Sequence, residues 1–345
     1  MQGRIGRTGR VVAVNLLVFA VLFGLAEGVL RVHRVFEPAI PPARETREGG
    51  AGRLSNYDVT LGYRGVRQGG RFRAFKAQGR DTIFDATYTL LPGGWRFVPQ
   101  PPSHSDSAFV AFFGCSFTFG EGVSDSATLP AAFAAATQGR ATVYSRGFKG
   151  WGPQSMLALM EAPPNLVALK ERRGVAVFTT IDQHIDRVRG TFNIVATWGG
   201  NMPLYELDAN GVPVRRGSFA SVRPLRQFLY WKASHSLVLS RLLSHPWTKA
   251  SPDDWALMAG IVKRSCDLFA ARYESGGCYF VLWPNAGIAR QELAPKLRRL
   301  GVHVLDYTRL WSAEDDIAKY QIKGDGHPNA AAYRRVAEQL VRDIR

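Results

Sequence analysis

The stretch Ala108-Phe109-Val110-Ala111-Phe112-Phe113-Gly114-Cys115-Ser116-Phe117-Thr118-Phe119-Gly120-Glu121-Gly122 holds the first decision about this chain. Ala108 to Phe113 is a continuous apolar run, the pattern of a parallel strand buried on both faces. It ends in glycine, and a serine follows two residues later. Ligands of open α/β sheets bind outside the carboxyl ends of the strands. Ser116 therefore reads as standing on the turn from a strand into a helix, with its oxygen exposed and backbone N–H groups close by. A serine after a strand is weak evidence alone; it needs a base and a carboxylate.

Both occur near the other end of the chain, in Gly324-Asp325-Gly326-His327-Pro328-Asn329. His327 falls just before residues 329–343, which read as a closing helix opened by Pro328 or Asn329. Asp325 is two residues upstream, close enough for the loop to fold its carboxylate back to the ring. A histidine activates a serine by taking its proton as the oxygen attacks. The carboxylate fixes the tautomer and steadies the imidazolium. Ser116, His327 and Asp325 are the candidate catalytic residues.

Between these ends, helix and strand patterns alternate. Residues 128–137, 154–161, 255–274 and 291–300 read as helices. Residues 141–144, 175–180, 278–283 and 302–305 read as strands. The alternation predicts an α/β fold, a mostly parallel sheet covered by helices on both faces. This body spans 106–345 and starts near Ser107. Residues 191–247 break the rhythm as an insertion. A hairpin is expected at Asp208-Ala209-Asn210-Gly211, then an amphipathic segment over 225–243 rich in aromatic and basic residues. So long an excursion is either a lid or substrate wall, or a helix packed on a neighbouring unit. That unit is residues 58–105, a small β-rich appendage with turns at Gly69-Gly70 and Gly93-Gly94 and strand-like runs at 82–84 and 87–90.

The N-terminus sets the compartment. Arg4, Arg7 and Arg10 precede an apolar segment over 11–30 that only Asn15 and Glu27 interrupt strongly. About 20 helical residues match the roughly 30 Å hydrocarbon layer. Arginines on the leading side favour a cytoplasmic N-terminus. Residues 1–34 then form either a single-span anchor, with His33 and Arg34 near the outer interface, or a cleaved signal segment with Gly24 and Ala26 before the cut. A buried helix of a soluble body is the third reading. Either of the first two puts the body on the extracytoplasmic, periplasmic side of a cytoplasmic membrane. Residues 35–57, rich in Pro, Gly, Arg and Glu, read as a tether.

Composition narrows the partners. The 345 residues carry a formal charge of +16, and residues 31–80 hold 11 Lys/Arg against 4 Asp/Glu. Such a surface favours anionic partners. Zinc-finger, helix-turn-helix and RNA-binding signatures are absent, so nucleic acid is not expected. Cys115, Cys266 and Cys278 lack metal-binding spacing. Cys115 reads as a small buried filler, and Cys266 with Cys278 is a possible disulfide in an oxidising compartment. Asp182, His184 and Asp186 are ligand types, but the run leaves its strand too early for them to share one face. No metal or cofactor is expected.

These motifs resemble the SGNH, or GDSL-like, hydrolase superfamily over about residues 107–345, and most of all its membrane-tethered extracytoplasmic branch, whose relatives include bacterial polysaccharide O-acetyl-transferring and deacetylating enzymes. Ser116 falls on the family's nucleophile, and Asp325 and His327 on its acid and base. In Gly147-Phe148-Lys149-Gly150-Trp151-Gly152, Gly150 falls on the oxyanion glycine. The resemblance implies a three-layer, flavodoxin-like α/β/α fold and a serine esterase or acyltransferase. Backbone N–H groups of Ser116 and Gly150 would hold the oxyanion.

The chain departs from that pattern in three places. Cys115 replaces an aspartate, the acid–base spacing is one residue shorter than the commonest form, and Ile181 falls where an oxyanion asparagine is expected. Losing one oxyanion donor costs roughly 3 kcal/mol. Gln183 or His184 is the expected substitute, with Asp182 and Trp151 also candidates to line the site. The implied substrate is an O-acyl, chiefly O-acetyl, ester of an envelope or extracellular glycan, for which Trp151, Trp198 and Trp231 offer aromatic surfaces. A lipid or other carboxylic ester is the alternative within the enzyme class. Outside it stand an envelope protein that kept the fold and lost the chemistry, as Cys115 and Ile181 suggest, and a lipid- or polysaccharide-binding module.

Overall fold

The apolar N-terminal run folds as one 35-residue helix, α1 (Gln2–Phe36). Its portion Thr8–His33 is long and apolar enough to cross a membrane, and none of that apolar window is buried by the rest of the chain. The reading as a buried helix of a soluble body is thereby corrected. The computed structural model describes residues 2–36, 46–50, 54–102, 108–167, 169–244, 249–274, 276–311 and 317–344. Much of the expected tether, 37–45 and 51–53, lies outside them, as does the expected start of the body near Ser107.

The appendage comprises β1 (Thr46–Gly50), β2 (Ser55–Asp58), β3 (Gly62–Gly65), β4 (Gly70–Gln78), β5 (Asp81–Leu91) and β6 (Trp95–Arg96). β2 and β3 form a hairpin; the others form an antiparallel sheet in the order β1-β4-β5-β6. The two predicted runs at 82–84 and 87–90 are one strand, β5. Parts of the expected tether, 46–50 and 55–57, lie in strands. β1 pairs along β4 through the backbone, which needs no apolar side chains and left no hydrophobic pattern to read.

The body continues as β7 (Ala108–Phe113), α2 (Ser116–Phe119), α3 (Leu129–Thr137), β8 (Ala141–Ser145), α4 (Pro153–Glu161), α5 (Pro164–Val167), β9 (Gly174–Thr180) and α6 (His184–Arg189). The insertion contributes α7 (Phe192–Val195), β10 (Pro203–Leu207), β11 (Pro213–Ser218), α8 (Phe219–Val222), α9 (Pro224–Ser234) and α10 (Leu237–Ser244). The chain closes with α11 (Pro252–Arg272), β12 (Cys278–Leu282), α12 (Gly287–Glu292), α13 (Ala294–Arg299), β13 (His303–Asp306) and α14 (Ala330–Asp343). The single helix expected over 291–300 is the pair α12 and α13, which meet at Leu293 just before Pro295. A proline within the run cannot donate its backbone bond.

Five strands form a parallel sheet in the order β13-β12-β9-β7-β8. Side chains alternate across it, as strand geometry requires. Phe109, Ala111 and Phe113 of β7 join Ala176 and Phe178 of β9 and Phe280 and Leu282 of β12 in one cluster with α4 and α11. Val110, Phe112, Val177 and Val281 face the opposite cluster with α3 and α14. The result is the expected three-layer α/β/α body. α14 shows why its pattern was legible: Ala332, Tyr333, Val336, Ala337 and Leu340 are buried at helical spacing. Cys266 of α11 and Cys278 at the start of β12 form a disulfide, while Cys115 is free and buried.

The appendage shares the body's core. Leu61, Val66, Tyr88, Leu90 and Trp95 pack with Phe119, Phe148 and Trp151. The seam is locked by Arg96, which is 1% exposed. Its guanidinium donates to the carbonyls of Phe119 at 3.0 Å, Gly120 at 3.1 Å and Val123 at 2.8 Å, and to Asp125 Oδ1 at 2.9 Å. It also lies over the rings of Tyr88 and Phe119. Breaking a buried charge pair from one side typically costs about 3–5 kcal/mol. Arg96→Ala should therefore lower the denaturant midpoint by that amount of stability, and an unchanged midpoint would refute the lock.

Candidate active site

Ser116 owes its position to the turn at the end of β7. Gly114 adopts φ +151°, and a Cβ there would fall 2.3 Å from Thr118 Oγ1 and 2.7 Å from Thr179 Oγ1. The space is filled instead by those two hydroxyls, bonded at 2.6 Å, which tie α2 to β9. Ser116 is the first residue of α2, so its N–H has no acceptor within the helix. Cys115 is fully buried, its side chain within an apolar cluster.

His327 arrives on the loop before α14. That loop is pinned by backbone bonds from Ile322 to His327 and from Asp325 and Gly326 back to Ile322. Asn329 caps α14, its Oδ1 accepting from the N–H groups of Ala331 and Ala332. His327 Nε2 lies 2.9 Å from Ser116 Oγ, and its Nδ1 is hydrogen-bonded to Asp325 Oδ1. The three residues singled out from opposite ends of the sequence thus meet in one line at the carboxyl rim of the sheet. Phe117 packs on the His327 ring at 5.6 Å, backed by Trp283.

Two charged residues that the sequence reading missed join the line. Lys76, from β4 of the appendage, donates to Asp325 Oδ2 at 2.8 Å. Burial raises the Asp325 carboxyl, but the hydrogen bonds from His327 and Lys76, with their charges, outweigh it and hold the group well below the usual carboxylate range. Glu121 Oε2 lies 3.5 Å from His327 Nε2, and its other oxygen pairs with Lys149 at 2.5 Å. Glu121 was within reach of a sequence reading, five residues after the serine. Lys76 was not, because only the packing of β4 against the final loop brings it there.

Gly150, on the loop between β8 and α4, adopts φ +75°. A Cβ there would fall 2.3 Å from Tyr63 Oη and 2.8 Å from Trp198 Cζ3. The N–H of Gly150 has no intramolecular acceptor among the described residues. Tyr63 belongs to the appendage, and its hydroxyl donates to the Lys149 carbonyl at 2.9 Å. Trp198 belongs to the insertion and is 41% exposed. A cavity of about 150 Å³ adjoins the loop that carries His327, lined by Phe117, Trp283, Trp311, Tyr320, Gly326 and Pro328 among others, but not by Ser116 or His327 themselves.

The remaining candidates are elsewhere. Ile181 is buried in the apolar layer. Asp182 caps α12, accepting from the N–H groups of Ile288 and Ala289 at 3.1 and 2.8 Å, so its carboxylate is occupied. Gln183 is exposed ahead of α6 and bonds to none of the site residues. His184 has no exposed surface, bonds to Thr180 Oγ1 through Nδ1 at 3.0 Å and packs on Phe178. Burial, with Arg187 nearby, pushes it well below the ordinary imidazole range, so it is neutral. Trp151 is 2% exposed, and its Nε1 donates to the Tyr63 carbonyl. A side chain enclosed in the core cannot line an open cleft, so His184 and Trp151 are corrected to structural roles, and Asp182 to a helix cap. Among the described residues no group of three or more His, Cys, Asp or Glu is arranged to hold a metal ion.

No family model and no curated protein matches the chain. Solved structures do. A member of the lipolytic protein G-D-S-L family from Veillonella parvula aligns at 14% identity over 69% of this chain and 98% of its own, with a TM-score of 0.40. An acetyl xylan esterase, Est2A, from Butyrivibrio proteoclasticus aligns at 12% identity over 72% and 66%, with a TM-score of 0.40. A carbohydrate esterase family 2 enzyme with a carbohydrate binding domain, from Corynascus thermopiles (Myceliophthora fergusii), aligns at 13% identity over 79% and 74%, with a TM-score of 0.38. These TM-scores are all below 0.5, so the chemistry of this chain stands on its own side chains.

Lys76 gives the site a testable signature. Its ammonium offsets part of the Asp325 charge, so removing it leaves that carboxylate freer to stabilise an imidazolium. Lys76→Met should move the acid limb of the kcat/KM profile for an aryl acetate to higher pH while the fold survives. An acid limb that stays in place would show that Lys76 does not act on the His327–Asp325 pair.

Proposed function

We propose that this chain is an SGNH-type serine hydrolase or acyltransferase of carboxylic esters, tethered to a cytoplasmic membrane by α1 with its body on the extracytoplasmic side. One observation carries the reading: Ser116 Oγ, the His327 ring and the Asp325 carboxylate stand in a continuous hydrogen-bonded line, with 2.9 Å between nucleophile and base. That is the separation a general base needs to take the proton of an attacking hydroxyl.

Ser116 attacks the ester carbonyl as His327 Nε2 takes its proton. The N–H groups of Ser116 and Gly150 hold the developing oxyanion. His327 then returns the proton to the leaving alcohol, and the acyl group rests on Ser116. Water, activated by His327, releases it as acid, or a sugar hydroxyl takes it in a transfer. With Ile181 in place of a side-chain donor and His184 enclosed in the core, the hole has two backbone donors. A missing donor is worth roughly 10²–10³ in rate, so turnover is expected to be slow for such a site.

Two features support an acylated glycan as substrate. Trp198, 41% exposed beside Gly150, offers aromatic surface on which a sugar ring can stack. The arginines preceding the apolar part of α1 favour an outward body.

A fluorophosphonate probe should label the wild-type chain and not Ser116→Ala, and the same variant should lose release of an aryl acetate. Labelling or turnover that survives the substitution would defeat the proposal. Trp198→Ala should raise KM for an acetylated oligosaccharide several-fold and leave kcat/KM for the small aryl ester nearly unchanged. Equal losses on both would remove the sugar-stacking role.

A further inference from the structure

Among the described residues, the second half of the insertion makes its main contacts with α1 and with α7 and α8 of the same insertion. α9 and α10 are separate helices, and α10 lies against α1. The joint is specific. Glu27, the one acidic residue within the apolar part of α1, accepts from Ser236 Oγ at 2.9 Å and from the N–H groups of Leu237 and Val238 at 3.0 and 3.1 Å. It thereby caps the start of α10. Arg31 braces it, donating to the Glu27 carboxylate at 2.9 Å and to the His235 carbonyl at 3.4 Å.

The joint also has a depth. At 1.5 Å per residue, Glu27 sits about 26 Å along α1 from Arg10. A hydrocarbon layer of roughly 30 Å that begins at Arg10 ends near that level. α9 and α10 are thus held beside the outer edge of the layer that α1 would span.

Their surfaces suit that place. Leu225, Phe228 and Leu229 on α9, and Leu239, Leu242 and Leu243 on α10, recur at helical spacing and are all exposed. Nothing in α10 is buried. Trp231 is exposed too, with the Lys232 ammonium over its ring and that of Phe228, an apolar body with a charged tip of the kind found at membrane interfaces. Over α9 and α10 the charged residues are Arg226, Lys232 and Arg241, with no Asp or Glu.

We infer that α9 and α10 form an interfacial element that beds its leucine and aromatic face into the outer leaflet of the membrane crossed by α1, with its basic residues on anionic lipid headgroups. The inference rests on reading α1 as a retained span. α10 lies against α1 at the Glu27 joint, both helices expose apolar side chains, and the excess positive charge selects an anionic surface. Two attachments, one through the bilayer and one on it, would stop the body from swinging about its tether and set the direction in which the Ser116 cleft faces.

The test uses the full chain reconstituted in phosphatidylcholine vesicles with and without phosphatidylglycerol, carrying one nitroxide at a time on Leu17→Cys, Val59→Cys, Leu229→Cys or Leu242→Cys. Relaxation by oxygen and by a water-soluble nickel chelate reads the depth of each label. Labels at 229 and 242 should be several-fold less accessible to the chelate than the label at 59, and more so with phosphatidylglycerol. Lys232→Glu combined with Arg241→Glu should abolish the phosphatidylglycerol effect. Labels at 229 and 242 that read as water while the label at 17 reads as lipid would overturn the interfacial element and leave the anchor standing. A label at 17 that also reads as water would overturn both. Immersion equal in the two lipids would overturn the anionic preference.

Discussion

A missing Cβ at the end of β7 is the constraint on which the site depends. The chain must leave a fully buried strand and begin a helix within two residues, and Gly114 is where it bends. The room that a side chain would take is used by the Thr118–Thr179 hydroxyl pair. That bond holds the first turn of α2 against the end of β9, so Ser116 stands at the sheet's carboxyl rim with its N–H directed away from any helical acceptor. Every other part of the site is arranged around an oxygen whose position is set there.

The parts that reach it come from all over the chain. The body supplies the serine and the His327 loop. The appendage supplies Lys76 behind Asp325 and Tyr63 beside Gly150, and the insertion supplies Trp198 beside the same glycine. Arg96 explains how the appendage holds station: its five-donor guanidinium satisfies three carbonyls and a carboxylate of the loop beyond Ser116. Division of the chain into a body and two additions describes sequence order. The polar network Lys76–Asp325–His327–Ser116 ignores that division, and in such a network each member's charge bears on the next.

Glu27 plays a comparable organising part at the other end of the molecule. A carboxylate in an apolar helix is costly unless it is paired. Here it is the partner of two backbone N–H groups, a serine and an arginine. The interruption noticed in the apolar run is a joint between α1 and the insertion.

Local pattern along the chain was enough for the alternating body and for the three residues of the hydrogen-bonded Ser116–His327–Asp325 line. Apolar runs of strand length, and helical spacing of buried residues in the closing segment, predicted the former. The glycine–serine and Asp-Gly-His-Pro-Asn segments pointed to Ser116, Asp325 and His327, because each carries its chemistry in a few adjacent residues. Long-range packing decided the rest. His184 and Trp151 looked available from their residue types, yet packing encloses them, and burial is a property of neighbours far away in the chain. Asp182 looked like a site carboxylate, yet a helix start about a hundred residues on occupies it. Lys76 and Tyr63 left no local mark, and nothing in the sequence set Trp198 apart from Trp151 and Trp231, since the docking of β4, β3 and the insertion is what places them. The same holds for α9 and α10: their amphipathic pattern was legible, but the surface they lie against was set by a single long-range contact to Glu27.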